Sequence, residues 1–296
     1  MIELIISTIL LLNPIVPAVT ATEYFDFDYQ TAGPQKINEE NLGVELTTSN
    51  FLIQDIKSDK ILYGKNYDQQ TPIASITKLM TALVFIETNP DWQAEVKMEQ
   101  ADETNGAYPH IYRGEVATVR DLFNTMLVSS DNNSAKALVR VSSLSEQQFI
   151  KKMNGLAQKY GLKKTSFNDV TGLSNKNAST AQEISQLLLI ALENKKISEA
   201  LRMPAYNFPI RNSEKNRKVY ATNILLESFL NSEKHGYRII GGKTGYLPAA
   251  GGCLTVVIEK DGNKVVATVL DSQNRNTRFQ DLKSLVDWAF SNYKWD

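Results

Sequence analysis

Apolar residues follow two rhythms along this chain, and the switch between them divides it into three parts. Short apolar runs at 51–56 and 61–65 flank Lys57, Ser58, Asp59 and Lys60, the pattern of a β-hairpin. Thr71-Pro72 leads into an apolar-rich helix over 75–88, which Asn89-Pro90 stops, because a residue before proline is kept out of the helical region. Residues 91–117 read as irregular, with short extended pieces. From Thr118, Val119, Leu122, Phe123, Met126 and Leu127 fall on one helical face. Residues 129–133 break that helix, and three more follow at roughly 134–142, 145–160 and 180–194. After 205 the rhythm returns to β. Strands are expected at 239–246, 253–260 and 264–271, the last two joined by a turn at Asp261-Gly262-Asn263, then a helix over 277–293. The expected fold is α/β: an antiparallel sheet assembled from both ends of the chain and flanked by helices, with an inserted all-helical lobe. Its α/β lobe would span about 45–100 and 201–296, and its helical lobe about 101–200.

The N-terminus has a different character. Residues 2–19 are almost wholly apolar, interrupted by Glu3, Asn13 and Pro14, and Asn13-Pro14 with Pro17 opposes a long continuous helix. Val19-Thr20-Ala21 fits the small-residue rule for cleavage of an export signal after Ala21. The segment before the apolar run carries Glu3 and no Lys or Arg, so an uncleaved membrane anchor stays open as the other reading. Residues 22–44 read as a linker into a folded domain over 45–296.

Composition narrows the chemistry. Of 296 residues, 32 are Lys or Arg and 33 Asp or Glu, and a formal charge of −1 gives no general pull toward nucleic acid. Cys253 is the only cysteine, so neither an intrachain disulfide nor a Cys-rich zinc site can form. It sits in a predicted strand and reads as a buried small residue. His110 and His235 form no HExxH pattern, so no metal site and no cofactor is expected. Catalysis is left to Ser, Lys, Thr, Asn, Asp or Glu.

Four motifs compete for that role. The stretch Gly236 to Thr244 resembles a phosphate-binding loop, but it has one residue too many before Lys243. Gly245 and Pro248 also oppose the helix that such a loop must open. Ser75-Ile76-Thr77-Lys78 at a helix start puts Ser75 and Lys78 on one face, so an unprotonated lysine can take the serine proton. Alone, it reads more simply as an N-cap serine with a solvated lysine. Ser130-Asp131-Asn132 between two helices can present two polar side chains to a cleft, or simply cap a helix. Lys243-Thr244-Gly245 lies on a predicted strand, where glycine admits close approach of a ligand or another backbone.

The three serine- and lysine-bearing motifs occur in order, with serines 55 residues apart and Lys243 a further 113 along. That set is the one found in class A β-lactamases and penicillin-binding proteins. With residues 74–81, 114–119, 126–132, 168–181 and 242–254, the chain resembles the serine-type D-Ala-D-Ala carboxypeptidases, the low-molecular-weight penicillin-binding proteins, over about 45–293. Two departures stand out: Asp131 where that family usually has glycine, and Asp169 at a place often held by proline.

The resemblance implies a β-lactamase/DD-peptidase-like fold and acyl transfer through a serine ester on peptidoglycan stem peptides, with β-lactam antibiotics as covalent inhibitors. It makes Ser75 the nucleophile and Lys78 its base, with Ser130 and Lys243 relaying a proton to the leaving amine. It gives Asn132 the substrate amide, and the Ser75 and Tyr246 backbone N–H groups, beside Gly245, the oxyanion. Thr244 with Arg278 would hold the terminal carboxylate, although Arg278 alone is equally a solvated helix-start residue. The stretch 165–172 lacks the deacylating glutamate of class A β-lactamases, so a long-lived penicilloyl ester is expected. A D,D-endopeptidase on the same residues is the alternative; a β-lactamase and a non-catalytic wall-binding protein are more distant ones. Action outside the cytoplasmic membrane is expected. With the sequence ending at Asp296, neither the C-terminal β domain nor the anchor helix that many relatives carry is expected.

Overall fold

The computed structural model describes residues 33–105 and 109–295. The proposed export segment, 1–21, lies outside them. Five strands form the central sheet: β1 (Asn50–Asp55), β2 (Ile61–Lys65), β3 (Tyr237–Leu247), β4 (Gly251–Lys260) and β5 (Asn263–Ser272). Their order is β3-β4-β5-β1-β2 and every neighbouring pair is antiparallel, so the sheet is built from both ends of the chain. The β4–β5 turn places Asp261 (φ 51°) and Gly262 (φ 82°) in the left-handed region, as a tight two-residue hairpin requires.

Among the described residues seven α-helices accompany the sheet: α1 (Lys78–Glu87), α2 (Val119–Val128), α3 (Asn132–Val141), α4 (Glu146–Lys159), α5 (Ala181–Glu193), α6 (Lys195–Arg202) and α7 (Thr277–Asn292). Strand alternation decides which face each covers. Leu52, Val257 and Val266 join one apolar cluster with Ile184, Leu187 and Leu188 of α5 and with the helical lobe. Their neighbours Ile53, Val256, Ile258, Val265 and Ala267 join another, with Leu282, Leu285 and Val286 of α7. Each fully buried aliphatic side chain contributes roughly 1.5–3 kcal/mol. The sheet is therefore clamped between α7 and the helical lobe.

Local signals set the helix starts near the cleft. Thr118 and Asp121 form a reciprocal cap on α2, and Asp131 caps α3 by accepting from Ser134 N at 2.7 Å. The break expected over 129–133 is thus shorter, and Asn132 is already helical. Three further features exceed the sequence reading. Helix α6 follows α5 directly, and 205–209 pairs with 216–220 as a separate hairpin. Within the stretch read as linker, Gln35–Lys36 pairs with Tyr293–Lys294. Helix α1 packs against α2, α4 and α5, at the junction of the lobes. Among the described residues no helix is long and apolar enough to cross a membrane.

Candidate active site

Three chain segments that are remote in sequence meet at one end of β3. A 3-10 turn over Ala74–Thr77 precedes α1, and Ala74 holds φ 46° immediately before Ser75. Ser130 adopts φ 62° between α2 and α3. Left-handed backbone in non-glycine residues costs on the order of 1–3 kcal/mol and persists only where its surroundings enforce it. In this chain it stands beside two of the three motif segments.

Lys78 is fully buried, not solvated. Its Nζ lies 3.0 Å from Ser75 Oγ, 2.6 Å from Asn132 Oδ1 and 2.6 Å from the Thr171 carbonyl oxygen. Two of these partners are carbonyl oxygens, which only accept. A neutral amine has two N–H groups for them, so its lone pair is left facing the serine hydroxyl. Burial pulls the Lys78 pKa down to about 7, opposed by the carboxylates of Asp131 and Asp169.

Lys243 is equally buried, with Nζ 2.8 Å from Ser130 Oγ. Burial, then the nearby Lys78 and Arg278 charges, hold its pKa well below the ordinary lysine value. Gly245 has no room for a side chain: a Cβ there would lie 2.7 Å from the Ile73 carbonyl oxygen and 3.1 Å from Ser75 N. That tight approach brings β3 against the turn that carries Ser75. Thr244 Oγ1 shares a 2.6 Å hydrogen bond with Thr222 Oγ1.

Ser75, Ser130, Asn132, Thr244, Tyr246 and Arg278 line one open cavity of about 370 Å³. Arg278 is buried at 5 % exposure, so the reading of a solvated helix-start residue does not hold. The first turn of α7 packs against β4, where a Cβ at Gly252 would lie 3.1 Å from Arg278 Cβ; from there Arg278 donates from Nη1 to the Gly245 carbonyl oxygen of β3 while its Nε is left unpartnered. Burial lowers its pKa to about 10, so it stays charged at neutral pH. No carboxylate pairs with it among the described residues. Cys253 is buried on β4, and burial pushes its thiol up to about 11, which makes it no nucleophile.

The sequence pattern of the D-alanyl-D-alanine carboxypeptidases, peptidase S11, matches residues 35–274. The chain belongs to that family. It is 30% identical over 255 residues to the D-alanyl-D-alanine endopeptidase of Escherichia coli (strain K12), covering 82% of this chain and 77% of that one. It is also 30% identical over 244 residues to the D-alanyl-D-alanine carboxypeptidase DacF of Bacillus subtilis (strain 168), covering 79% and 60%. Among solved structures, penicillin-binding protein D2 from Listeria monocytogenes in its cefotaxime-bound form superposes with a TM-score of 0.72 at 27% identity. That match covers 84% of this chain and 99% of the other. This enzyme is therefore a serine D-Ala-D-Ala peptidase on the penicillin-binding-protein fold, a family that acts on the cell wall outside the cytoplasmic membrane.

Several residues of the site escaped the sequence reading. Leu173 and Ile224 line the cavity as exposed apolar walls, and Arg275 lies over the Tyr246 ring at 4.9 Å. The Thr171 carbonyl has no side-chain signature at all. The departure at Asp131 has a structural explanation. One oxygen accepts from Ser134 N, and the other from His110 N at 3.0 Å, tying the 109–112 segment to the turn that carries Ser130.

Proposed function

We propose that this enzyme removes the terminal D-Ala of peptidoglycan stem peptides through a Ser75 ester. The observation that carries the reading is the Lys78 amine, dry and held 3.0 Å from Ser75 Oγ with its other partners both obligate acceptors. Ser75 Oγ attacks the penultimate D-Ala carbonyl carbon as its proton passes to Lys78. The oxyanion develops toward the backbone N–H groups of Ser75 and Tyr246. The C–N bond then breaks, Ser130 Oγ gives its proton to the leaving amine, and Lys243 restores it. Asn132 spends its carbonyl on Lys78, which leaves its NH₂ for the substrate amide. Water finally cleaves the ester.

Arg278 is the cation for the substrate carboxylate, beside the Thr244 hydroxyl. Its charge is desolvated yet unpaired among the described residues, an arrangement that an incoming anion completes. Replacing it by glutamine is expected to lower kcat/KM for a peptide ending in free D-Ala by about 10- to 100-fold, the range of a charge-assisted hydrogen bond. It should leave kcat/KM for the corresponding C-terminal amide nearly unchanged. Equal losses on both peptides would exclude the carboxylate role.

The second reading, a D,D-endopeptidase, is favoured by the name of the Escherichia coli relative, which covers 82% of this chain. Digestion of purified muropeptides separates the two: free D-Ala from uncross-linked stems marks a carboxypeptidase, and monomers from cross-linked dimers without D-Ala release mark an endopeptidase. β-Lactamase turnover is disfavoured. The stretch 165–172 has Asp169 as its only carboxylate, and both of its oxygens are engaged by donors of the same loop. A chromogenic cephalosporin should give one burst per enzyme, and sustained rapid turnover would overturn this. We further propose export by cleavage after Ala21, with the catalytic domain acting at the wall.

A further inference from the structure

The loop opposite the nucleophile is organised by one half-buried side chain. Asp169 Oδ1 accepts from Thr171 N at 2.6 Å, Thr171 Oγ1 at 3.0 Å and Gly172 N at 2.6 Å, and Oδ2 accepts from Ser174 N. These bonds fold residues 171–174 around the carboxylate. The result points the Thr171 carbonyl at Lys78 Nζ, 2.6 Å away. It also seats Gly172, at φ 89°, on the peptide just before the nucleophile, where a Cβ would fall 2.1 Å from the Ala74 carbonyl oxygen. The far side is fixed as well. Asn177, fully buried, accepts from Asn168 N and Asp169 N and donates to Thr77 Oγ1 at 2.9 Å, next to Lys78.

We propose that Asp169 is a positioning residue for acylation: it sets the Thr171 carbonyl as the acceptor that turns the Lys78 lone pair toward Ser75. The inference rests on Lys78 being the base. The logic is a count of hydrogen bonds. The neutral amine has two N–H groups and two fixed acceptors, Thr171 O and Asn132 Oδ1. If the Thr171 carbonyl drifts, one N–H has no partner and the amine can rotate, so the lone pair spends less time on the serine proton. Asp169 also acts through its charge. The charged groups around Lys78 are Asp131 at the α2–α3 junction, Asp169 on this loop and Lys243 on β3. Both carboxylates support the protonated amine.

The two effects separate in the pH profile of acylation by a fluorescent penicillin. Asp169→Asn removes the charge and turns one acceptor into a donor facing Ser174 N. It is expected to move the midpoint of the profile to lower pH and to lower the high-pH plateau at least about tenfold. Asp169→Glu keeps the charge but displaces the carboxylate by a methylene: the midpoint should stay and the plateau should still fall. Thr171→Val, which removes one donor to Asp169, should give a smaller fall. Rate constants are read from molecules that label, so a partly unfolded preparation loses amplitude and not rate. Wild-type plateaus in both Asp169 variants overturn the proposal. Lys78→Ala measured alongside keeps the two questions apart. If it labels at the wild-type rate, the base assignment fails; if it is inactive while both Asp169 variants have wild-type plateaus, only the positioning role fails.

Discussion

Ser75→Ala is expected to abolish covalent labelling by fluorescent penicillin and to lower kcat on a D-Ala-D-Ala stem peptide by on the order of 10⁶, the scale of removing the nucleophile from a serine hydrolase. The loss should be chemical, not structural. Ser75 is half-buried at the cleft, and its hydroxyl is held by Lys78 alone among the hydrogen bonds of the described residues. The turn that carries it is fixed by other groups: Thr77 Oγ1 on the Ala74 carbonyl at 2.8 Å, Asn177 on Thr77, and Gly172 and Gly245 packed against the backbone on either side. Thermal unfolding should therefore stay within about 1 kcal/mol of wild type, the usual worth of one hydrogen bond. A Ser75→Ala protein that folds, binds penicillin covalently and releases D-Ala would end the acyl-enzyme mechanism. A protein that fails to label because it has unfolded would show itself in the same unfolding curve.

Much of this site was legible because its parts carry side-chain signatures. Ser75 and Lys78 are three apart at a helix start, and the fold indeed places them on one face. The β-strands were legible because the sheet is buried on both faces, giving dense aliphatic runs such as Val256, Val257 and Ile258. Other parts were illegible for physical reasons. Helix α6 has an Asn194 cap and Ile197, Ala200 and Leu201 on one face, but eight residues directly after α5 merge with it. Burial of Arg278 depends on α7 starting against Gly252 of β4 and within reach of the Gly245 carbonyl, a tertiary fact that a helix-start arginine does not announce. The Thr171 carbonyl is backbone, so only the Asp169 carboxylate that aims it is visible in sequence, and there it stood out merely as a departure from the family's proline. Asp131 was visible in the same way, and it proves to be a helix cap that also tethers residues 109–112.

In the proposed mechanism a lysine base takes the place of a histidine, and the electrostatics around Lys78 suit it to that role. A histidine base is already near neutrality in water. A lysine must be brought there, and full burial does so, lowering Lys78 to about 7 against the pull of Asp131 and Asp169. This sets the sign of the pH dependence. The base form is the unprotonated amine, present above about pH 7 and lost below it. The rate constant for acylation should therefore rise about tenfold per pH unit through the acid range and level off above about 7. Lys78→Met, similar in volume but without the amine, should lower the acylation rate by about 10²–10⁴, the usual range for a positioned general base. It should also erase the rise near pH 7 and leave a flat profile, because the group that titrates is gone. Some destabilisation will accompany the change, since Asn132 Oδ1 and the Thr171 carbonyl each lose a buried donor, at about 1–3 kcal/mol apiece. The profile's shape does not depend on how much protein is folded, so it decides the matter. A wild-type profile that is flat from pH 5.5 to 9, or a Lys78→Met profile that still rises through 7, would remove Lys78 as the base and leave Lys243, 2.8 Å from Ser130 Oγ, as the other buried amine of the site.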